Sequence, residues 1–96
     1  MLTYKATYKF FADGVHGEAL DFAGVITCGE TLDETRELLA GALVDMAETN
    51  LLEGESLAIP DASLTDTDAD VEEPIHLILN ASSKFKIIPE LVYEAA

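Results

Sequence analysis

Gly24-Val25-Ile26-Thr27-Cys28-Gly29-Glu30-Thr31-Leu32-Asp33-Glu34-Thr35 packs a β-branched run, two glycines, a cysteine and a helix-start signal into one short stretch. Read as chemistry, it offers a nucleophile or a phosphate loop. Read as structure, it is a strand, a tight joint and a helix cap. A phosphate loop needs a lysine after its second glycine, and here Gly29 is followed by Glu30, whose carboxylate repels phosphate. Val25 to Cys28 has the β-branched composition of a strand. Thr31 is followed three residues later by Glu34, so the threonine oxygen can accept one helix amide while the glutamate reaches back to another. Asp33 and Glu34 also suit the positive end of a helix dipole. The stretch therefore predicts a strand ending near Cys28 and a helix starting at Leu32.

Downstream, Leu32, Thr35, Leu39, Ala42, Leu43 and Met46 recur at three- and four-residue steps, an apolar stripe suited to lie across a sheet. The helix is expected to reach about Leu52, with Gly54 as a left-handed stop. Upstream, residues 2 to 10 put Leu2, Tyr4, Ala6, Tyr8 and Phe10 on one side and Thr3, Lys5, Thr7 and Lys9 on the other, the period of a half-buried strand. Asp13-Gly14 supplies a turn, Val15 to Leu20 a weaker second strand, and Asp21 to Gly24 the next turn. The first half of the chain reads as a three-stranded meander running into a helix.

After the helix, Glu55 to Pro60 reads as extended. Residues 61 to 73 are rich in carboxylates, lack any basic residue and predict a weakly ordered acidic loop. Ile75 to Leu79 is the next strand, apolar enough to sit inside a sheet, and Phe85 to Ile88 offers a short fifth. The order βββαβ gives an α+β domain: a three-stranded antiparallel meander, one long helix on one face of the sheet, then a fourth and possible fifth strand.

A chain of 96 residues, 49% hydrophobic, suits a single domain spanning 1–96. No run is long and apolar enough for a membrane span, and the alternating start does not resemble a signal peptide, so a cytoplasmic protein is expected. One cysteine excludes an intrachain disulfide framework. Nineteen acids against five Lys and Arg leave a net charge of −14, which repels nucleic acid and anionic membranes. Either the charge steers in a partner with a basic face or it only keeps an acidic domain in solution.

Candidate chemistry is sparse. Cys28 lies in an apolar run without a nearby Lys or Arg to stabilise a thiolate, and reads as a small hydrophobe unless folding brings His16 or His76 to it. Asp66, Asp68, Asp70 and Glu72 alternate like the start of a calcium loop. Val71 and Leu77 then stand where such a loop needs glycine and glutamate, which leaves a solvated charge run. Two histidines without a spacing motif do not make a metal site. No cofactor, no metal and no enzymatic activity is expected.

With this order of elements, residues 15 to 60 resemble the HicB-like family, antitoxin components of HicA–HicB toxin–antitoxin pairs and their stand-alone relatives. Asp21, Gly24, Thr27, Gly29, Glu30, Thr31 and Glu34 match the family's turn-and-cap pattern, and Gly54, Glu55, Leu57 and Pro60 look like its end-of-helix segment. Leu20 and Ala23 replace its two prolines, and Val25 stands where a cysteine is usual. The resemblance implies a partial ribonuclease-H-like fold without the nuclease. The residues agree, because two-metal hydrolysis needs converging strand carboxylates, and the first strand has none.

The resemblance further implies a protein that binds and occludes a small basic RNA-cleaving toxin of HicA type. The expected contact surface is Glu18, Asp21 and Phe22, with Asp66, Asp68 and Asp70 of the acidic run. A homodimer or higher homo-oligomer is expected, paired through an exposed edge at Val25 to Cys28 or Ile75 to Leu79. No direct nucleic-acid binding and no membrane partner are expected. Two other classes stay open: a homo-oligomeric interaction module without a toxin, and a small-molecule-binding domain.

Overall fold

The computed structural model describes residues 1–78. Three strands, β1 (Leu2–Phe11), β2 (Gly14–Ala19) and β3 (Ile26–Gly29), lead into α1 (Leu32–Leu52), and β4 (Val71–Leu77) follows the loop beyond it. The sheet has the order β3-β2-β1-β4, with every neighbouring pair antiparallel. Leu79 and the possible fifth strand Phe85 to Ile88 lie outside the described residues.

The α+β architecture is the one expected, with differences after the helix. The strand expected to begin at Ile75 begins at Val71, so the acidic segment becomes strand for its last three residues. That strand does not sit inside the sheet: among the described residues β4 pairs with β1 alone and is an outer strand, while β1 and β2 occupy the centre. Glu72 and His76 project from its exposed face, the alternation of a one-sided strand rather than a fully buried one.

The core lies between α1 and one sheet face. Tyr4, Ala6 and Tyr8 of β1, Val15 and Ala19 of β2 and Leu77 of β4 pack with Leu39, Leu43 and Ala47 of the helix. Leu32, Ala42 and Met46 flank that stripe half-buried. Phe10, assigned by alternation to the same face, is 50% exposed near the end of the strand. Gly29 explains the tight joint: a Cβ there would sit 2.6 Å from the Thr35 hydroxyl, so only glycine lets the first helical turn close onto β3.

Thr31 caps the helix by accepting the Glu34 amide at 3.1 Å. Glu34 reaches back one residue further than the reciprocal cap expects, accepting from the Glu30 amide. At the other end Gly54 takes φ of 78°, the left-handed conformation that suits glycine, and donates to the Leu51 carbonyl.

Candidate functional site

The face of the sheet away from α1 has two unlike halves. Over β1 and β4 runs the acidic segment, which is held rather than loose. The Lys5 ammonium donates to the Ala62 carbonyl at 3.1 Å and faces Glu72 at 3.6 Å, and the Lys9 ammonium meets Asp66 at 3.1 Å. Asp70 donates its amide to the Tyr8 carbonyl and accepts the Phe10 amide on its carboxylate, both at 2.8 Å. Glu72 accepts from the Thr65 hydroxyl and the Asp66 amide. This cover leaves Thr7 only 3% exposed although it points away from the core.

Hydrogen bonds set the charge states here. Ser63, through its hydroxyl and then its amide, holds the Asp61 carboxyl below its usual range. The Asp68 amide, then Lys9, does the same for Asp66. The Thr65 hydroxyl, then the Asp66 amide, does so for Glu72. The bond to Asp66 raises the Lys9 ammonium pKa in turn.

The six residues expected at a contact surface do not form one patch. Glu18 stands on the open face of β2, between Thr7 of β1 and Ile26 of β3. Asp66 and Asp68 lie on the same side, and with Glu18 they contribute to the field at Lys9. Asp68 is exposed, whereas Asp66 and Asp70 are engaged by the contacts above. Asp21 is a clamp: one carboxylate oxygen accepts the Lys5 amide and the other the Asp61 amide, each at 2.9 Å. Phe22 corrects the expectation outright. It is 2% exposed and packs edge-on against Tyr4 with ring centroids 5.2 Å apart, so its bulk belongs to the core.

Over β2 and β3 the face is open. Ile26 of β3 is 50% exposed, and Phe11, the last residue of β1, is 58% exposed. Cys28 is exposed as well, and its sulfur lies 3.5 Å from His16 Nδ1. That pairing was legible in principle, since strands folded about Phe22 place 16 opposite 28. The pair sits in a depression of about 170 Å³ lined also by Phe11, Asp13 and Gly29. A second depression, about 240 Å³, lies between β1, β4 and Ala62, with Lys5, Asp21 and Glu72 on its walls. Both are open and shallow, and among the described residues no group of three or more His, Cys, Asp or Glu is placed to hold a metal ion. Sequence reasoning also missed the tie between Arg36 and Glu73, residues 37 apart in sequence, because nothing local announces it.

No helix among the described residues is long and apolar enough to cross a membrane. No family model matches the chain, and no curated protein matches it. Solved structures do. The crystal structure of the N-terminal domain of Burkholderia pseudomallei antitoxin HicB is similar to it with a TM-score of 0.63 and 20% identity, over 81% of this chain and all of that one. A chain of the HicA3 and HicB3 toxin–antitoxin complex is similar with a TM-score of 0.55 and 22% identity, over 62% of this chain and 69% of that one. At these identities the likeness is one of fold: a four-stranded antiparallel sheet with one long helix against it, the architecture of the HicB antitoxin N-terminal domain.

Proposed function

We propose that this chain is a non-catalytic, HicB-like antitoxin, or a stand-alone homologue of one, that binds and occludes a small basic RNA-cleaving protein of HicA type in the cytoplasm. The observation that carries the reading is electrostatic. Lys5, Lys9 and Arg36, the three Lys and Arg residues in the described part of the chain, each face a carboxylate. The excess of acids, Glu18 and Asp68 among them, is left to set the surface potential. A surface of one sign steers an oppositely charged protein in and rejects nucleic acid. The antitoxin fold supplies the context, and the sparse chemistry at Cys28 and His16 agrees with occlusion rather than turnover.

The test is inhibition: added to a HicA-type toxin with RNA as substrate, the protein should stop cleavage at about one equivalent. Undiminished cleavage at excess, or RNA turnover by the protein itself, contradicts the reading. A second reading, a self-assembling module, is favoured by the outer position of β3. Self-assembly is compatible with toxin binding, so the two are separated by measuring both: a module of this kind changes its mass with concentration in sedimentation yet leaves RNA cleavage by the toxin undiminished.

A further inference from the structure

Antiparallel pairing decides where the backbone groups of β3 point. The Ala19 amide donates to the Val25 carbonyl at 2.9 Å, which makes that pair a hydrogen-bonded one. Along the register, hydrogen-bonded pairs alternate with non-hydrogen-bonded ones. Gly17 with Thr27 and Val15 with Gly29 are therefore bonded, while Glu18 with Ile26 and His16 with Cys28 are not. The amides and carbonyls of Ile26 and Cys28 thus point away from β2, toward the outer edge, and among the described residues no strand pairs there. The same alternation brings opposed side chains of non-hydrogen-bonded pairs close, as the contact between Cys28 and His16 shows.

Among the described residues the charges around this edge have one sign. Glu18 stands across from Ile26, Glu30 follows the strand, Glu34 bonds the Glu30 amide, and Asp13 lines the depression beside Cys28 and Gly29. The Lys and Arg of the described residues lie elsewhere and are engaged: Lys5 and Lys9 by the segment over β1, Arg36 by Glu73 and Asp33. A second copy pairing edge to edge would bring this acidic border against its own image. A segment of opposite charge would meet attraction at every one of these positions.

We propose that the outer edge of β3 is a strand-addition site for an extended, lysine- or arginine-rich segment of a partner protein. Main-chain bonds to Ile26 and Cys28 supply the register, and the exposed Ile26 side chain gives the added strand apolar contact on the open face. The inference rests on the basic-partner reading above and adds where and how such a partner docks.

The test uses the full chain and a short peptide alternating Lys with Val, its Glu–Val counterpart as control, followed by amide hydrogen exchange. In the free protein the Ile26 and Cys28 amides should exchange quickly. With the Lys–Val peptide at low salt they should slow by about tenfold or more, as opening-limited protection requires, while the Glu–Val peptide leaves them unchanged. Cys28→Pro removes an outward amide, a change that edge strands tolerate, and should abolish the protection at Ile26 with the fold retained by circular dichroism. Ile26→Lys leaves the backbone intact, puts like charge on the edge and should weaken peptide binding, which serves if the proline variant does not fold.

Binding without protection at these amides overturns the edge as the docking site and leaves the basic-partner reading standing. Absence of binding at low salt overturns the proposal as well. Amides already protected in the free protein would mean the edge is covered, by this chain or by a second copy, and would overturn it too.

Discussion

Arg36 on α1 forks onto Glu73 on β4, Nε to one carboxylate oxygen and Nη2 to the other, both at 2.9 Å. The helix is thereby tied to the outer strand that the loop 53–70 separates from it. Glu73 lies on the helix side of β4, opposite Ala6. The pair is partly open to water, which screens it, so geometry more than charge should give it weight. Arg36→Lys keeps the charge and loses the fork. It should lower the melting temperature by a few degrees, close to the effect of Arg36→Ala, and calorimetry on both variants decides it. A lysine variant that melts like the parent would show that charge alone suffices.

The helix stripe predicts a larger effect. Leu39 is fully buried between the helix and the strands. Leu39→Ala leaves a cavity and should cost about 2–5 kcal/mol, a substantial share of the roughly 5–15 kcal/mol that holds a small domain folded. Urea unfolding measures it directly. Leu38→Ala, one residue away and facing solvent, should change the midpoint little.

Truncating the cap is milder. Thr31→Ala removes the acceptor for the Glu34 amide and should cost about 1 kcal/mol, whereas Thr31→Ser should be close to neutral. The same urea titration reads both.

The carboxylates of the acidic segment give a pH dependence whose sign is fixed. Asp61, Asp66 and Glu72 have folded-state pKa values below their ordinary ones, through bonds chiefly from Ser63, the Asp68 amide and Thr65. Their stabilisation is complete above the usual carboxylate range of about 4 and is lost as pH falls through the depressed values. The melting temperature should therefore drop below about pH 4, and Asp66→Asn should flatten that part of the profile. At high pH the order reverses for Tyr4 and Tyr8, whose pKa values burial raises. Their contribution holds up to about pH 10 and declines above it.

Asp21 separates a structural role from a contact role. Its two oxygens hold amides of Lys5 and Asp61, so Asp21→Ala should cost on the order of 1–3 kcal/mol and speed proteolysis within residues 55–70. Glu18→Lys should leave stability nearly unchanged and alter partner binding instead.

What could be read without coordinates follows the range of the interactions involved. Thr31 with Glu34 and the alternation from Leu2 to Tyr8 are local, so the cap, the helix bounds and the core face of β1 were legible. Phe10 failed because alternation names a face but not where the helix above it ends. Composition predicts a weakly ordered acidic run, because it does not reveal that Asp70 meets the Phe10 amide or that Asp61 meets Asp21 forty residues away. The outer position of β4 was hidden for the same reason: Ile75 and Leu77 are apolar like a central strand, and only pairing with β1 shows which side stays open. Among the candidate contact residues, Phe22 is expected at the surface with the loop after the second strand, and its edge-on packing on Tyr4, which no local pattern announces, places it in the core.

The salt dependence of binding to a basic RNA-cleaving toxin tests the central claim most directly. Measured by calorimetry from low to high ionic strength, the affinity should fall steeply, since long-range attraction between the acidic surface and the toxin is screened, and Glu18→Lys should flatten the fall. An affinity that stays constant across the salt range, in the parent and in the variant alike, would contradict it.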